Sequence, residues 1–230
     1  VLVFLLKLDK SHDISIIELG SSLPGEIKNL CNISKPTHGL ITNIAPAHLE
    51  GFGTIENIVK EKSQLFISLK KGISFVNKTD KKIKKLKFEG KKITFGLTAD
   101  CDFPADINIE SNGTLTFVIN SHIIQTNSYN LSFIKNSISC SAIALTLGIN
   151  KQQLKSKIQS FFPPEGRCQV QYINGITIID DTYNANLISS LAALEYLNAF
   201  SGEGRKIFVF GDMLELGDKS NEQHKEIGEK

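Results

Sequence analysis

Gly39-Leu40-Ile41-Thr42-Asn43-Ile44-Ala45-Pro46-Ala47-His48-Leu49-Glu50-Gly51-Phe52-Gly53 decides how this chain folds. Gly39-Leu40-Ile41 reads as a short buried strand. His48, Glu50 and two glycines then crowd into a few residues before a helical pattern starts at Thr54. In an open α/β sheet, ligands bind in the loops just past the carboxyl ends of the strands. A histidine flanked by small residues reaches a metal or a phosphate there without steric competition. Alone, however, it reads more readily as a surface or core residue of a capped turn.

Working outward, Ile14-Ser15-Ile16-Ile17-Glu18-Leu19 has the β-branched composition of a strand and carries Glu18 to a strand-end loop. Pro24-Gly25-Glu26 starts a helix with Ile27, Leu30, Cys31 and Ile33 on its apolar stripe, and Pro36 ends it. On the other side, Thr54 is a candidate N-cap. Ile55, Ile58, Val59, Leu65, Phe66 and Leu69 define the buried face of the helix it opens. Lys62 falls within that face, where a lysine ordinarily snorkels to solvent. Residues 1–8 read as the last turns of a buried helix, and Ile73–Asn77 as a strand. The lysine-rich stretch Asp80–Lys92 reads as a solvated amphipathic helix rather than a nucleic-acid patch.

Strand-like runs follow at Ile93–Leu97, Asp106–Ile109, Thr114–Asn120 and His122–Thr126, with an Asn112-Gly113 turn signal that makes this part antiparallel. Helices are expected over Asn136–Leu147 and Gln152–Phe161. After Pro163-Pro164 the pattern restarts: strand Ile176–Ile179 ending in Asp180-Asp181, helix Ser189–Phe200, strand Lys206–Phe210, then Gly211-Asp212. The expected architecture is therefore α/β. A mostly parallel central sheet with helices on both faces and a small antiparallel portion occupies residues 1–163. The start of a second Rossmann-like α/β domain occupies 164–230.

Composition is that of an ordinary globular chain: 41% hydrophobic and 22% charged over 230 residues. A formal net charge of +2 argues against nucleic acid or an anionic membrane as partner. Cys31, Cys101, Cys140 and Cys168 lack CxxC spacing and read as reduced thiols of a cytoplasmic protein. The opening apolar run is too short to span a bilayer and lacks the flanks of a signal peptide. Both ends read as cut, so a piece of a longer protein is expected.

Glu18, His48 and Lys62 can be assembled at strand ends. A carboxylate and a neutral imidazole suit Mg²⁺ when phosphates complete the shell, and a lysine carbamylated by CO₂ becomes a carboxylate-like anion. Arg167 and the Asp180-Asp181 pair flank the expected domain joint. Arginine suits phosphate, and strand-end carboxylates suit ribose hydroxyls or a metal. The alternatives are a surface hinge arginine and an acidic first helical turn.

Glu18-Leu19-Gly20, Asn43–Gly53, Asp180-Asp181-Thr182-Tyr183-Asn184-Ala185-Asn186 and Gly211-Asp212-Met213-Leu214-Glu215-Leu216-Gly217 resemble the signature strings of the Mur ligases, in the same order. The resemblance covers essentially the whole chain, although Asp80–Asn130 matches only in type. It implies a truncated ATP-binding central domain followed by the first part of a C-terminal domain. It implies an ATP- and Mg²⁺-dependent, ADP-forming ligase of peptidoglycan precursor synthesis, cytoplasmic and monomeric. The strings are closest to the branch that joins D-alanyl-D-alanine to UDP-N-acetylmuramoyl-tripeptide through an acyl phosphate. The branch adding the third-position amino acid is the alternative within the family.

By position, the resemblance makes Glu18 and His48 the metal-associated pair and Lys62 the carbamylated lysine, all three catalytic. It makes Asn136, Arg167 and Asp181 nucleotide-binding. The chain departs from the family pattern in four places. No GxxxxGK[ST] loop occurs in residues 1–230, and a uridine-nucleotide domain is absent. The HNxxN motif reads Lys135-Asn136-Ser137-Ile138-Ser139, and Leu187 follows Asn186 where the family has proline. Negligible ligase activity is expected of these residues alone, and a non-catalytic remnant is the reading from another class.

Overall fold

The computed structural model describes residues 5–46, 48–111, 113–200 and 204–230, which form two units, 1–95 and 96–230. Ala47 and Asn112, and the first half of the helical turns expected over residues 1–8, lie outside the described residues. Leu6 and Leu8, within them, are exposed rather than buried.

The first unit contains helix α1 (Glu26–Ser34), strand β1 (His38–Leu40), one turn of helix α2 (Leu49–Phe52), helix α3 (Ile55–Ser68), strand β2 (Ile73–Asn77) and strand β3 (Lys91–Gly96). β1 pairs with β2 in parallel, His38 opposite Ile73, and β2 pairs with β3 in parallel, Ile73 opposite Lys91. Parallel neighbours need a crossover, and α3 supplies the one between β1 and β2. Thr54 caps α3 as its sequence indicates, its hydroxyl accepting from the Asn57 N–H at 3.3 Å. The apolar stripe of α3 packs Ile58, Phe66 and Leu69 against Ile41, Ile44, Phe52, Val76 and Ile83.

In the second unit, strands β4 (Phe103–Ile109), β5 (Leu115–Ile119) and β6 (His122–Gln125) run antiparallel, with Ile107 opposite Phe117 and Phe117 opposite Ile124. Asn120-Ser121 joins β5 to β6 with both φ positive, 48° and 63°, the conformation that two-residue hairpins favour. Helix α4 (Leu131–Thr146) packs on β5 and α5 (Lys151–Gln159) on β6. α4 begins at Leu131, ahead of the expected Asn136, because the Asn130 side chain accepts from the Phe133 N–H at 3.1 Å.

An antiparallel hairpin follows, β7 (Gln169–Ile173) and β8 (Ile176–Asp180), turning at Asn174-Gly175. Helix α6 (Leu187–Ala199) is capped by Asn186, and helix α7 (Ser220–Gly228) ends the described chain, with Met213, Leu216 and Ile227 buried between these helices.

The α/β class stands, and three segments differ from the sequence pattern. Ile14–Leu19 and Lys206–Phe210 have no regular secondary structure and belong to no ladder among the described residues. Ile16 is 94% and Val209 90% exposed. Alternation and β-branching make a chain extended, but only a neighbouring backbone makes it a strand. The lysine-rich stretch forms a single 3₁₀ turn, Ile83–Lys85, instead of a helix. Its start is fixed by the Asp80 carboxylate accepting from the Lys82 and Ile83 N–H groups, and buried Ile83 anchors it.

Phe66 is fully buried at the centre of the first unit. Phe66→Ala should cost about 3–5 kcal/mol, combining lost transfer energy with an unfilled cavity. Urea unfolding would read this as a lower midpoint at unchanged slope; a loss under about 1 kcal/mol would mean the core collapses around the gap.

Candidate active site

In the first unit, three segments meet beyond the end of β1. His48 takes a left-handed conformation, φ 51°, and is half-buried as the residue that opens α2. Gly51, in α2, faces the loop that follows Glu18: a Cβ there would lie 2.1 Å from the Ser22 carbonyl oxygen. Only glycine permits this approach, so the Glu18 loop rests directly on the His48 loop. That loop is held in turn by Glu26, whose carboxylate accepts from the Ser22 and Leu23 N–H groups at 2.7 and 2.9 Å. These two backbone donors hold the Glu26 pKa below its ordinary value.

Lys62 is half-buried on α3. Its Nζ donates to the Asn43 carbonyl oxygen at 3.0 Å, tying α3 to the segment that leads into His48. Burial pushes its pKa below the ordinary lysine value, opposed by the nearby Asp80 carboxylate. Glu18 is exposed on a segment without regular secondary structure.

Glu61 is a residue that the sequence pattern did not single out. It is 5% exposed, and its two carboxylate oxygens accept from the Gly25 and Ile27 N–H groups, each at 2.7 Å. It thus caps α1, whose own Gly25 offers no side chain for the purpose. The available signal was an acidic residue inside an apolar helical stripe.

The second unit gathers two of the three expected nucleotide residues. Tyr183 N–H donates to the Gly166 carbonyl at 3.0 Å, and the Arg167 guanidinium lies 4.0 Å from the centre of the Tyr183 ring. Stacking leaves the in-plane N–H donors of arginine open to a phosphate. The Asp181 carboxylate accepts from the Cys168 N–H at 3.0 Å, next along the same turn. Burial, and the charge and hydrogen bond of Asp181, push the Cys168 thiol up to about 12, which keeps it a neutral thiol. The neighbouring Asp180 carboxylate accepts from the Thr182 hydroxyl and N–H, which lower its pKa. Asn136 is exposed in the second turn of α4. Ser139, at the second Asn position of HNxxN, is buried and donates back to the Lys135 carbonyl. Among the described residues, no group of three or more His, Cys, Asp or Glu side chains is placed to hold a metal ion.

A loop cluster at a parallel strand end in the first unit, and a Gly-Arg turn beside a carboxylate in the second, belong to an α/β protein. Sequence comparison agrees: residues 1–144 match the Mur ligase middle domain, and residues 166–230 the Mur ligase, glutamate ligase domain. The chain belongs to the Mur ligase family.

It is 36% identical over 236 residues to the UDP-N-acetylmuramoyl-tripeptide–D-alanyl-D-alanine ligase of Buchnera aphidicola subsp. Baizongia pistaciae, covering 97% of this chain and 50% of that one. The Escherichia coli K12 protein of the same name is 30% identical over 239 residues, covering 98% and 52%. The structure resembles MurF from Acinetobacter baumannii, with a TM-score of 0.85 and 28% identity over 97% of this chain and 50% of that one. It also resembles Thermotoga maritima MurF in complex with ADP, with a TM-score of 0.80 and 28% identity over 92% and 50%. The chain thus spans about half the length of the relatives it matches. Among the described residues, no helix is long and apolar enough to cross a membrane.

The lowered Lys62 pKa carries a pH signature. In the unfolded chain Lys62 keeps its proton up to the ordinary lysine value, whereas the folded chain releases it earlier. Stability therefore rises with pH between the folded and unfolded values. Relative to Lys62→Met, the parent chain should gain stability as pH rises toward the ordinary lysine value of 10.5, as measured by urea unfolding at a series of alkaline pH values. A difference independent of pH would show that the amine is not desolvated.

Proposed function

We propose that this chain is the central and early C-terminal part of an ATP-dependent ligase that adds D-alanyl-D-alanine to UDP-N-acetylmuramoyl-tripeptide for peptidoglycan. Residues 1–163 would belong to the ATP-binding domain and 164–230 to the C-terminal domain. The protein would act in the cytoplasm as a monomer. The observation that carries this reading is Lys62: a half-buried amine of lowered pKa, fastened at the loop that holds His48.

In this scheme the terminal carboxylate of the tripeptide attacks the γ-phosphorus of ATP, and ADP leaves. The amine of D-alanyl-D-alanine then attacks the acyl carbon, loses a proton, and expels phosphate as the amide forms. Alignment and charge compensation are the main demands on the protein. Arg167 presents its fork to phosphate oxygens, Asp181 takes the ribose side, and Asn136 borders the adenine. In the first unit, His48 and Glu18 would serve the γ-phosphate and its metal, and the carbamate of Lys62 would add a further anionic oxygen donor.

This oxygen and imidazole set fits Mg²⁺, a hard cation that keeps few protein ligands and completes its shell from phosphates. A protein cage of three acidic or imidazole ligands is not required. When bound, Mg²⁺ would neutralise charge on the transferring phosphoryl group. Carbamylation needs the neutral amine, which the lowered pKa of Lys62 favours.

In the full-length protein, phosphate release from ATP should require both UDP-N-acetylmuramoyl-tripeptide and D-alanyl-D-alanine. Residues 1–230 alone, which contain no GxxxxGK[ST] string, should show no turnover. Release without either substrate would overturn the ligase reading. Lys62→Ala should slow turnover at least about a hundredfold, with partial rescue by small carboxylic acids. Unchanged activity would remove the lysine from the mechanism.

Carbamylation itself is read by NMR with ¹³C-bicarbonate. A carbamate signal that grows with pH, following the free amine roughly tenfold per unit while the lysine is mostly protonated, should vanish in Lys62→Ala. A signal that persists in the variant would place the carbamate elsewhere.

A further inference from the structure

We propose that Glu61 is a positioning residue that sets the separation between the Glu18 loop and the Lys62 helix, and through them the metal and phosphate site. The inference rests on the ligase reading. Neither sequence pattern nor family resemblance assigns Glu61 a role.

Glu61 and Lys62 are adjacent on α3 and reach in different directions. Lys62 donates to the Asn43 carbonyl in the segment leading to His48. Glu61 accepts from Gly25 and Ile27 at the start of α1, more than thirty residues earlier in the chain. Two consecutive side chains on one helix thus grip two different loops.

The grip on the Glu18 side is continuous. Glu26 folds Ser22 and Leu23 back onto the helix start, Glu61 fixes Gly25 and Ile27, and Ser22 abuts Gly51 beside His48. The segment from Gly20 to Gly25 has no regular structure of its own to define its path. A buried carboxylate that accepts two backbone N–H groups is directional and strong, and both charge and geometry contribute. Its two oxygens take one donor each, so the side chain that replaces it decides how many of the two bonds survive.

Glutamine retains one carbonyl acceptor and turns an NH₂ toward the second N–H; alanine retains neither. The test compares the full-length parent with Glu61→Gln and Glu61→Ala, reading three quantities. These are thermal stability, the Mg²⁺ concentration for half-maximal turnover, and the KM for D-alanyl-D-alanine. Positioning predicts that the Mg²⁺ requirement rises about tenfold in Gln and more in Ala, the range typical of lost outer-shell support. KM for D-alanyl-D-alanine should stay within about twofold. A drop in thermal stability with an unmoved Mg²⁺ requirement would reduce Glu61 to a structural cap and overturn the proposal. If Ala does not fold, Gln alone decides.

Mn²⁺ titration in the presence of ADP, followed by electron spin resonance, separates this inference from the reading it rests on. Weaker Mn²⁺ binding in Gln than in the parent supports positioning even if the parent shows no ligase turnover, an outcome that would sink the ligase reading alone. Equal binding, or no Mn²⁺ binding by the parent, overturns the role of Glu61.

Discussion

The Glu61 carboxylate sits where water scarcely reaches, and two backbone N–H groups of α1 are its partners. Much of the first unit's loop geometry depends on that arrangement. Burying a carboxylate is costly unless its lone pairs are satisfied, and the first N–H groups of a helix are costly unless they find acceptors. Here each solves the other's problem. The helix start also presents the positive end of its backbone dipole to the charge. A contact of this kind tolerates little displacement, so α1 and α3 are held in a fixed relation, and the loop between Glu18 and α1 inherits it.

The second unit uses a different device around its Gly166-Arg167 turn. Gly166 has φ 71°, and a Cβ there would lie 2.9 Å from the Tyr183 backbone nitrogen. Glycine therefore permits the Tyr183 N–H to reach the Gly166 carbonyl, which brings the Tyr183 ring under the Arg167 guanidinium. The same unit holds an aromatic cluster. The ring centres of Tyr129 and Phe200 are 5.3 Å apart and those of Tyr196 and Phe200 6.1 Å apart, with Tyr196 buried. Burial, with the nearby Cys168 and two further tyrosines, pushes the Tyr196 phenol up to about 12. Its hydroxyl stays neutral. The exposed arginine rests on a ring whose backbone is anchored.

Much of this was legible in the sequence because it depends on local chemistry. Thr54 announces α3, the apolar spacing of Ile58, Phe66 and Leu69 gives its buried face, and short polar breaks mark the antiparallel hairpins. Lys62 was visible as a charge inside an apolar stripe, although not its partner, the Asn43 carbonyl, which belongs to a separate segment. What escaped reading depends on pairing at a distance. Ile14–Leu19 and Lys206–Phe210 have strand composition yet find no ladder among the described residues, and composition cannot reveal a missing neighbour. The lysine-rich stretch has helical spacing, but Asp80 caps a single turn and buried Ile83 pins it, so a tertiary contact overrides propensity. The β7–β8 hairpin carries its own signal, Asn174-Gly175, which the apparent restart at Ile176 obscured. Glu61 was the least legible, because a buried acid declares itself only when its donors, thirty-odd residues away, are known.

The protonation of Lys62 shows how these local and distant effects combine. Burial drives the amine toward its neutral form, while the Asp80 carboxylate pulls it back toward the charged one, and burial is the larger effect. Asp80 is not devoted to the lysine. One of its oxygens already accepts from the Lys82 and Ile83 N–H groups at 2.8 and 3.0 Å, which disperses its charge into the 3₁₀ turn. A carboxylate that starts a turn between β2 and β3 thereby influences the charge state of an amine on another element. If the neutral amine is the form that accepts CO₂, the short connection between β2 and β3 takes part in preparing the site without touching any ligand.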